Sequence, residues 1–496
     1  MIYTPARSQM SHQTRAIAAA SEAPAHPSPS DAFAYLMDYG TGKSQVVLDE
    51  WGSIATGGGP MDLLVVAPKG SIRNWHEDKS DLQRAEISNM DPEFVSRMRV
   101  LGWSNSKGMT FREKIKRFLR VGDFQDRPRA LFMNVEALSK PGPARDLLRE
   151  YVAQRHCYGA IDESTTIKGR KSKRTKFLWE LGESMAVRRI ATGLLTPKGP
   201  TDAFAQFWFL DYRILGCRSW QSFEGRYCVT RRMEVNNRRF DVIVGYRNLE
   251  DLQERIAPYS YRVLKSECLD LEPKKYVMWE VEHTAEQARL YAELRESAMA
   301  QLSTGEHVVT EHVMTLVMRL HQINCGFATD EHGAEHEVES NRVDDLLEIL
   351  GQHRGKAVIW CPYRRPLAEI VRRIAEEYGE KSVAQFHGGN ARERTEEERR
   401  FLGDPDCRFM IATQGAAGRG NTWVNADLEI YYANNDDLEQ RYNSEDRLHR
   451  KGQINRVTVL DMVVPGTVDI NIVRRLRKKI TMATTLTGEE ARAWLI

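Results

Sequence analysis

The sequence predicts an α/β fold made of two parallel-sheet units joined by a helical connector. Short apolar runs alternate with longer amphipathic stretches from about residue 63 to 193, and the same pattern returns from 356 to 464. Buried parallel strands separated by helices produce this alternation. The intervening residues 211–340 are more charged and more aromatic, which favours a helical insertion and connector. No repeat of fixed period is visible, which argues against a solenoid.

Composition limits the class of protein. The chain has 496 residues, enough for two to four domains, and 71 Lys+Arg against 69 Asp+Glu give a net charge of +2. Proteins that coat nucleic acid carry a basic excess, so any anion-binding surface must be local. The 7 cysteines are dispersed and form no CxxC pair, which argues against a disulfide framework and a cysteine zinc site. No apolar run approaches a membrane span and no export signal is visible, so we expect a cytoplasmic protein with no membrane partner.

The individual elements follow from this pattern. Residues 16–30 are rich in small residues, proline and serine and predict a loop, and DAFAYLM (31–37) and QVVLDEW (45–51) are interpreted as helices. Strands of the first unit are predicted at 63–68, 129–135, 158–162 and 188–193. Strands of the second are predicted at 356–362, 382–388, 408–413, 428–434 and 457–464.

A glycine-rich turn at residues 38–44, DYGTGKS, predicts a nucleoside triphosphate site. Such a turn before a helix directs backbone N–H groups at one point, Lys43 can reach the β- and γ-phosphates, and the Ser44 hydroxyl can hold Mg²⁺. The predicted contacts are Gly40, Thr41, Gly42, Lys43 and Ser44. The first glycine of the general pattern falls on Met37, so the match is partial. An ordinary turn with a surface lysine is the alternative.

A pair of carboxylates completes such a site. The apolar run YGAI delivers Asp162 and Glu163 to the end of a predicted strand. One carboxylate can hold Mg²⁺ and the other can orient and deprotonate water, so we assign Asp162 to the metal and Glu163 to the base. Taken singly, an acidic pair is more often a solvated turn.

Two motifs of the second unit give the chain a family resemblance. NSEDRLHRKGQ (443–453) resembles QAEDRxHRxGQ, and IATQGAAGRGNTW (411–423) resembles motif five, of superfamily two helicase-type ATPases. Within that group the chain is similar to the Swi/Snf-like DNA translocases, above all compact phage or bacterial members. The resemblance implies two tandem RecA-like lobes. We expect an N-terminal segment over 1–30, lobe 1 over 31–265 with a helical insertion from about 211, a helical connector over 266–340 and lobe 2 over 341–496.

The resemblance also assigns residues. Arg447 and Arg450 lie three apart on a predicted helix and would act as arginine fingers, with Gln453 and Asp446 fixing their geometry. A solvated basic helix face is the alternative. Gln13 would read the adenine edge, although an exposed glutamine fits nearly as well, and Gly420 would line the nucleotide. The residues assigned to the nucleic-acid backbone are Lys69, Asn134, Lys168, Arg170, His387, Thr413 and Gln414, and those assigned to coupling are Thr192, Gly193 and Gly418.

Three positions depart from the family pattern. The acidic motif is DEST (162–165), motif three is TGLL (192–195), and Asn443 stands where a glutamine is usual. Hydrolysis is still expected because both carboxylates are present, whereas the coupling of hydrolysis to movement is in question. His332 and His336 could suggest a metal, but a polar loop is the preferred interpretation.

The resemblance implies an ATP-driven motor that uses ATP and Mg²⁺ and moves on the backbone of double-stranded DNA. Two alternatives stay open: a helicase that separates strands or migrates branches on DNA or RNA, and an ATP-gated clamp that binds DNA without moving. We expect a monomer in a bacterial or phage-infected cell, with a partner protein supplying targeting.

Overall fold

The computed structural model describes residues 2–24, 31–78, 84–104, 108–120, 127–235, 238–303, 310–390, 392–417 and 421–487. The chain divides into two compact units. Unit 1 comprises Met1–Met233, Arg239–Leu269 and Thr481–Ile496, and unit 2 comprises Glu234–Arg238 and Asp270–Ile480. Along the described ranges, no helix combines the length and the apolarity that a bilayer crossing requires.

The elements from the N-terminus to residue 268 belong to the first unit, apart from the end of β7 and the start of β8. In chain order they are α1 (Ser11–Ser21), β1 (Asp31–Met37), α2 (Lys43–Thr56), β2 (Asp62–Ala67), α3 (Pro92–Arg97), β3 (Arg99–Gly102), α4 (Met109–Leu119), β4 (Arg129–Asn134), α5 (Pro143–Gln154), β5 (Cys157–Asp162), α6 (Lys173–Gly182), β6 (Val187–Ala191), α7 (Asp202–Asp211), α8 (Trp220–Tyr227), β7 (Cys228–Val235), β8 (Arg238–Tyr246), α9 (Leu249–Ile256), β9 (Ser260–Val263) and α10 (Lys265–Cys268).

Seven of these strands form one parallel sheet in the order β3-β4-β2-β5-β6-β1-β9. The two faces of the sheet carry separate apolar cores: α1 and α2 cover one face, and α5, α6 and α7 cover the other. All strands point the same way, so the residues that follow β1, β2, β4, β5 and β6 lie at one edge. Ligands of open α/β sheets bind at this carboxyl edge.

The remaining elements build the second unit, apart from the end of the last helix. They are β10 (Lys275–Glu280), α11 (Ala285–Ser303), α12 (Thr310–Asn324), β11 (Phe327–Thr329), β12 (Glu335–Glu337), α13 (Arg342–Gln352), β13 (Lys356–Trp360), α14 (Arg364–Tyr378), β14 (Val383–Phe386), α15 (Arg394–Gly403), β15 (Phe409–Ala412), α16 (Gln414–Ala417), β16 (Ala426–Tyr431), α17 (Leu438–Glu445), β17 (Thr458–Val463) and α18 (Val468–Thr487). Six strands form a parallel sheet in the order β10-β17-β16-β13-β15-β14. The predicted α/β class with two parallel sheets is confirmed.

Two local predictions are wrong. DAFAYLM is strand β1, and six of its seven residues are buried, because a short run buried on both faces has no periodicity that distinguishes a strand from a helix. Residues 16–21, predicted as loop, complete helix α1, whose Ala16 and Ala20 pack into the core. Part of the same predicted loop, residues 25–30, lies outside the described residues.

The region between the two sheets is less helical than the sequence indicates. Within the segment expected as a helical insertion, β7 and β8 pair as a two-stranded ribbon. Within the segment expected as a connector, β10 joins the second sheet by pairing with β17 from Lys275 to Glu280. Unit 2 therefore begins near Asp270.

A buried ion pair fixes the helix that follows the glycine-rich turn. Glu50 of α2 lies 2.6 Å from Nη2 of Arg189 on β6, and both side chains are almost fully buried. The Tyr35 hydroxyl of β1 donates to the same carboxylate at 2.7 Å. Because the pair is buried and also hydrogen-bonded, loss of one partner would leave an uncompensated buried charge. The intact pair therefore holds α2 in register on the sheet.

Candidate nucleotide and nucleic-acid sites

The turn between β1 and α2 has the backbone of a phosphate-binding loop. Gly40 and Gly42 take φ values of 75° and 84°, a region that glycine enters without steric cost. Lys43 opens α2, so the free N–H groups of the helix start face outward from the turn. The Lys43 ammonium donates to the carbonyl oxygens of Met37 at 3.0 Å and Asp38 at 3.2 Å. Ser44 follows it, half-buried in the first turn of α2.

Helix α1 packs directly on this turn. His12 donates from Nε2 to the Thr41 carbonyl at 2.8 Å, and Gln13 donates from Nε2 to the Gly42 carbonyl at 3.3 Å. The φ of 84° already favours glycine at residue 42, and a Cβ atom there would also lie 2.3 Å from the Gln13 amide nitrogen and displace it. The amide oxygen of Gln13 accepts from the backbone N–H of Met10 at 2.9 Å. Gln13 is therefore buried beside the loop, and the exposed-surface alternative does not hold.

The carboxylate pair lies at the end of β5, on the same edge of the sheet. Asp162 accepts from the indole N–H of Trp75 at 3.3 Å and from the Glu163 backbone N–H at 3.0 Å. Glu163 accepts from the Tyr39 hydroxyl at 3.2 Å. Glu163 also has a φ of 48°, which is unusual for a residue with a side chain. Backbone strain of this kind is concentrated at functional sites.

The two unit 1 motifs that depart from the family pattern, DEST (162–165) and TGLL (192–195), are joined by a chain of hydrogen bonds. The Ser164 hydroxyl donates to Oε1 of Gln206 on α7 at 2.6 Å, and Gln206 donates from Nε2 to the Leu195 carbonyl at 2.8 Å. Thr192 accepts from the Leu194 N–H at 3.2 Å. All of these side chains are buried. The substituted DEST and TGLL segments are therefore physically connected through Gln206.

The residues assigned to the nucleic-acid backbone in unit 1 fall into two places. Glu136 accepts from the Lys69 backbone N–H at 3.0 Å and from the Asn134 amide at 3.4 Å, so the ends of β2 and β4 meet there. The Arg170 guanidinium stacks 4.1 Å from the centre of the Trp220 ring. Lys168 is half-buried just after the acidic motif. Lys69 and Asn134 therefore lie together at one point of unit 1, and Lys168 and Arg170 lie at another.

In unit 2 the two predicted finger arginines converge on one atom. Arg447 donates from Nη1 to the Asn421 carbonyl at 2.8 Å, and Arg450 donates to the same oxygen at 3.2 Å. Asp446 lies 3.7 Å from the Arg447 guanidinium. The prediction of a helix under both arginines is wrong, because α17 ends at Glu445 and both lie in the turn that follows. Convergence therefore comes from the turn and not from helical spacing.

Amide side chains are buried beside these arginines and at the start of α16. Gln453 donates to the carbonyls of Ala426 at 2.8 Å and Leu448 at 3.2 Å, so it fixes the backbone of the turn. Among the described residues, the amide nitrogen of Asn421, the amide oxygen of Asn443 and both side-chain polar atoms of Gln414 are buried without a hydrogen-bond partner. Unsatisfied buried polar groups of this kind call for a ligand or water.

The other assigned residues of unit 2 lie at the ends of β14 and β15. The Thr413 N–H donates to the Phe386 carbonyl at 3.1 Å. The pKa of His387 is lowered, mainly by burial and to a smaller extent by the positive charges of Arg394 and Arg364. Gly418 and Gly420 lie outside the described residues. His336 pairs with Asp330 at 2.9 Å, and within the described ranges no three His, Cys, Asp or Glu side chains are arranged to hold a metal ion.

A buried polar network joins α17 to the residues around the start of β10. Glu445 accepts from Arg441 at 2.7 Å and from the Tyr276 hydroxyl at 2.9 Å, and it pairs with Lys274, the residue before β10. Burial opposes ionisation of this carboxyl, but Lys274 and Arg441 lower the pKa of Glu445 to about 2. Glu429 is also buried, and burial together with the nearby Glu445 raises its pKa to about 7 although Arg441 and Lys274 act in the opposite direction.

Sequence reasoning missed three residues of these sites: Tyr39, Trp75 and Gln206. Tyr39 lies in the glycine-rich turn and Trp75 follows the first predicted strand, but an aromatic residue at such a position is more often core than site. Gln206 lies on α7, a helix that is apolar almost throughout, and its burial is the signal that it has a specific partner.

Comparison with known proteins agrees with the order of the two units. The SNF2-related domain family matches residues 8–328, and the helicase conserved C-terminal domain family matches residues 341–457. DNA annealing helicase and endonuclease ZRANB3 of Mus musculus is 24% identical over 331 residues, which cover 66% of this chain and 30% of that protein. Protein CHROMATIN REMODELING 4 of Arabidopsis thaliana is 24% identical over 262 residues, which cover 49% of this chain and 12% of that protein.

The chain thus spans less than a third of the length of either relative. Among solved structures, the Sulfolobus solfataricus SWI2/SNF2 ATPase core in complex with dsDNA matches 100% of this chain and 97% of its own, with 19% identity and a TM-score of 0.42. The SNF2-related match alone covers well over half of the sequence. The chain belongs to the SNF2-related family of helicase-type ATPases, in the Swi/Snf-like branch of superfamily two.

Proposed function

We propose that this protein is an ATP-driven translocase on double-stranded DNA. The observation that carries the proposal is the meeting of the loop lysine and the carboxylate pair at one edge of the unit 1 sheet, joined through Tyr39. A phosphoryl-transfer site needs this combination of a phosphate cradle, a metal-holding carboxylate and a base.

The residues of unit 1 fit ATP as substrate and Mg²⁺ as its metal. The α2 N-terminus carries no acidic residue in its first turn and directs N–H groups and the Lys43 ammonium at the phosphates. The Ser44 hydroxyl and Asp162 would hold the metal, which supplies positive charge to the β- and γ-oxygens. Glu163 orients the attacking water and accepts its proton, and Gln13 contacts the base of the nucleotide.

In unit 2, Arg447 and Arg450 neutralise the charge that develops on the transferred phosphoryl group. Their convergence on the Asn421 carbonyl supports a shared target. The buried amides of Asn421 and Asn443 have spare hydrogen-bonding capacity beside them, which supports a polar ligand at this turn.

Movement requires that the grip on the track change during the ATP cycle. The residues proposed for this grip follow strand ends in each unit, and they are Lys69, Asn134, Lys168 and Arg170 in unit 1 and His387, Thr413 and Gln414 in unit 2. Contacts to phosphate and sugar carry no sequence information, so we expect low sequence specificity. The net charge of +2 suits a local, releasable grip.

The choice of DNA is supported by the relatives, whose names refer to DNA annealing and to chromatin. The test is ATP hydrolysis stimulated by duplex DNA, duplex RNA or neither. Lys43→Ala and Glu163→Gln should each abolish stimulated hydrolysis and leave DNA binding intact, with the exposed Lys381→Ala as control. Full hydrolysis by Lys43→Ala would refute the site assignment.

One observation favours strand separation as a second candidate function. The β7–β8 ribbon is a two-stranded element with exposed Val229 and Arg231, and a helicase needs such a wedge. A forked-duplex unwinding assay distinguishes the two, because a translocase displaces a third strand from a triplex without opening the fork. Displacement without unwinding supports translocation, unwinding supports a helicase, and neither supports an ATP-gated clamp.

A further inference from the structure

Tyr39 contacts three segments of the proposed ATPase site of unit 1: the carboxylate pair, the phosphate-binding loop and the TGLL segment. Its hydroxyl donates to Oε2 of Glu163 at 3.2 Å. The Lys43 ammonium lies 4.6 Å from the centre of its ring, within the range of a cation–π contact. The residue is 3% exposed, so the ring is held by packing and not by solvent.

The third contact is with Gly193 of the TGLL segment. A Cβ atom on residue 193 would lie 2.6 Å from two carbons of the Tyr39 ring, which is far inside the closest real contact. The ring therefore packs on bare backbone, and a glycine at 193 is required by the tyrosine at 39. The ring is therefore in contact with both Gly193 and the Lys43 ammonium.

The contact between the Tyr39 hydroxyl and Glu163 matters because the backbone of Glu163 has an unusual conformation that depends on its surroundings. Its φ of 48° is strained for a residue with a side chain and persists only where the surroundings determine it. The Glu163 carboxylate needs a fixed direction to act on water, since misplacement by about 1 Å can cost on the order of 100-fold in rate.

We propose that Tyr39 is a positioning residue of the ATPase reaction, whose hydroxyl orients the Glu163 carboxylate and whose ring orients the Lys43 ammonium. The inference rests on the proposed function, since it takes Glu163 as the base and Lys43 as the phosphate-binding lysine. The two halves of the side chain act on different steps, because Glu163 serves hydrolysis and Lys43 serves binding of the nucleotide as well.

Two substitutions separate these halves. Tyr39→Phe keeps the ring on Gly193 and removes only the donor, so kcat of DNA-stimulated hydrolysis should fall roughly tenfold while KM for ATP stays within about twofold. Tyr39→Met removes the ring as well, so KM for ATP should also rise. Tyr212→Phe, a tyrosine 37% exposed on unit 1, is the matched control and should behave as the parent protein.

The split between kcat and KM distinguishes positioning from simple support of the fold. Loss of the Tyr39 hydroxyl leaves the ring and its contact with Lys43 in place, so kcat per active site should fall while KM for ATP is retained. The active sites are counted by titration of nucleotide binding. A purely structural role would lower the number of active sites and leave kcat per site unchanged.

Glu163→Gln, measured in parallel, separates failure of this inference from failure of the proposed function. If Glu163→Gln hydrolyses ATP normally, the base assignment and with it the proposed function fail. If Glu163→Gln is inactive while Tyr39→Phe keeps the parent kcat per active site, only the role of Tyr39 is overturned. A lowered kcat per active site with an unchanged KM for ATP supports it.

Discussion

The pair between Lys274 and Glu445 offers a sharp test of how the arginine turn of unit 2 is supported. The Lys274 side chain is 21% exposed and that of Glu445 is 2% exposed, so the pair is largely removed from water. Burial alone would lower the pKa of Lys274, and the Glu445 carboxylate raises it well above its usual range. The Lys274→Met substitution keeps the aliphatic stem and removes the charge.

The magnitude follows from what remains around the carboxylate. Removing one partner of a buried pair costs about 3–5 kcal/mol, and Glu445 retains Arg441 and the Tyr276 hydroxyl. We therefore expect a loss near the lower limit, about 3 kcal/mol, in the local stability of α17. Amide hydrogen exchange of α17 should accelerate on the order of 100-fold, because each 1.4 kcal/mol is a factor of ten.

The neighbouring Lys275 gives a matched control, since it is exposed on the edge strand β10. Lys275→Met should leave exchange in α17 unchanged. The double substitution Lys274→Met with Glu445→Gln should be less destabilised than the sum of the two, because the carboxylate that Lys274 neutralises is then absent. Equal exchange in Lys274→Met and Lys275→Met would refute this account of the network.

Three further predictions follow from other contacts. The folded-state pKa of Glu429, about 7, lies above its ordinary value of 4.5, so its contribution to stability is complete below pH 4.5 and lost as pH rises through 7. Glu429→Gln should remove that loss, and denaturant titration of the parent and variant between pH 5 and 8.5 checks it. Gln206→Leu breaks the chain from Ser164 to Leu195 and should lower triplex displacement per ATP hydrolysed by several-fold, while equal yields would contradict the proposed link. Arg447→Ala should lower kcat at least 100-fold with little change in DNA binding by fluorescence anisotropy; an unchanged kcat would remove it from the reaction.

The sheets and their order along the chain were predictable because fully buried parallel strands leave continuous apolar runs. The end of β5 at Asp162 and the helix start at Lys43 follow from the same rule, since polar residues must leave the sheet at its edge. DAFAYLM was misassigned for the converse reason, as a short buried run does not reveal its period. The edge strand β10 was not predicted because its apolar run, YVMW (276–279), is only four residues long, lies between charged residues and is only partly buried.

The contacts that shape the sites could not be predicted, because they join residues far apart in sequence. The Tyr39 hydroxyl reaches a carboxylate 124 positions later, and Trp75 reaches Asp162 across 87 positions. Local patterns specify the kind of side chain at a strand end but not which aromatic group meets it. The arginine turn after α17 is a similar case, since a helix was expected to continue through Arg447.

Triplex displacement by the parent protein and by Lys43→Ala tests the central claim most directly. The account predicts ATP-dependent displacement of the third strand from duplex DNA by the parent protein, none by Lys43→Ala, and intact binding of DNA by both. Displacement by Lys43→Ala at the parent rate, or DNA-stimulated hydrolysis by the parent protein without any displacement, would contradict it.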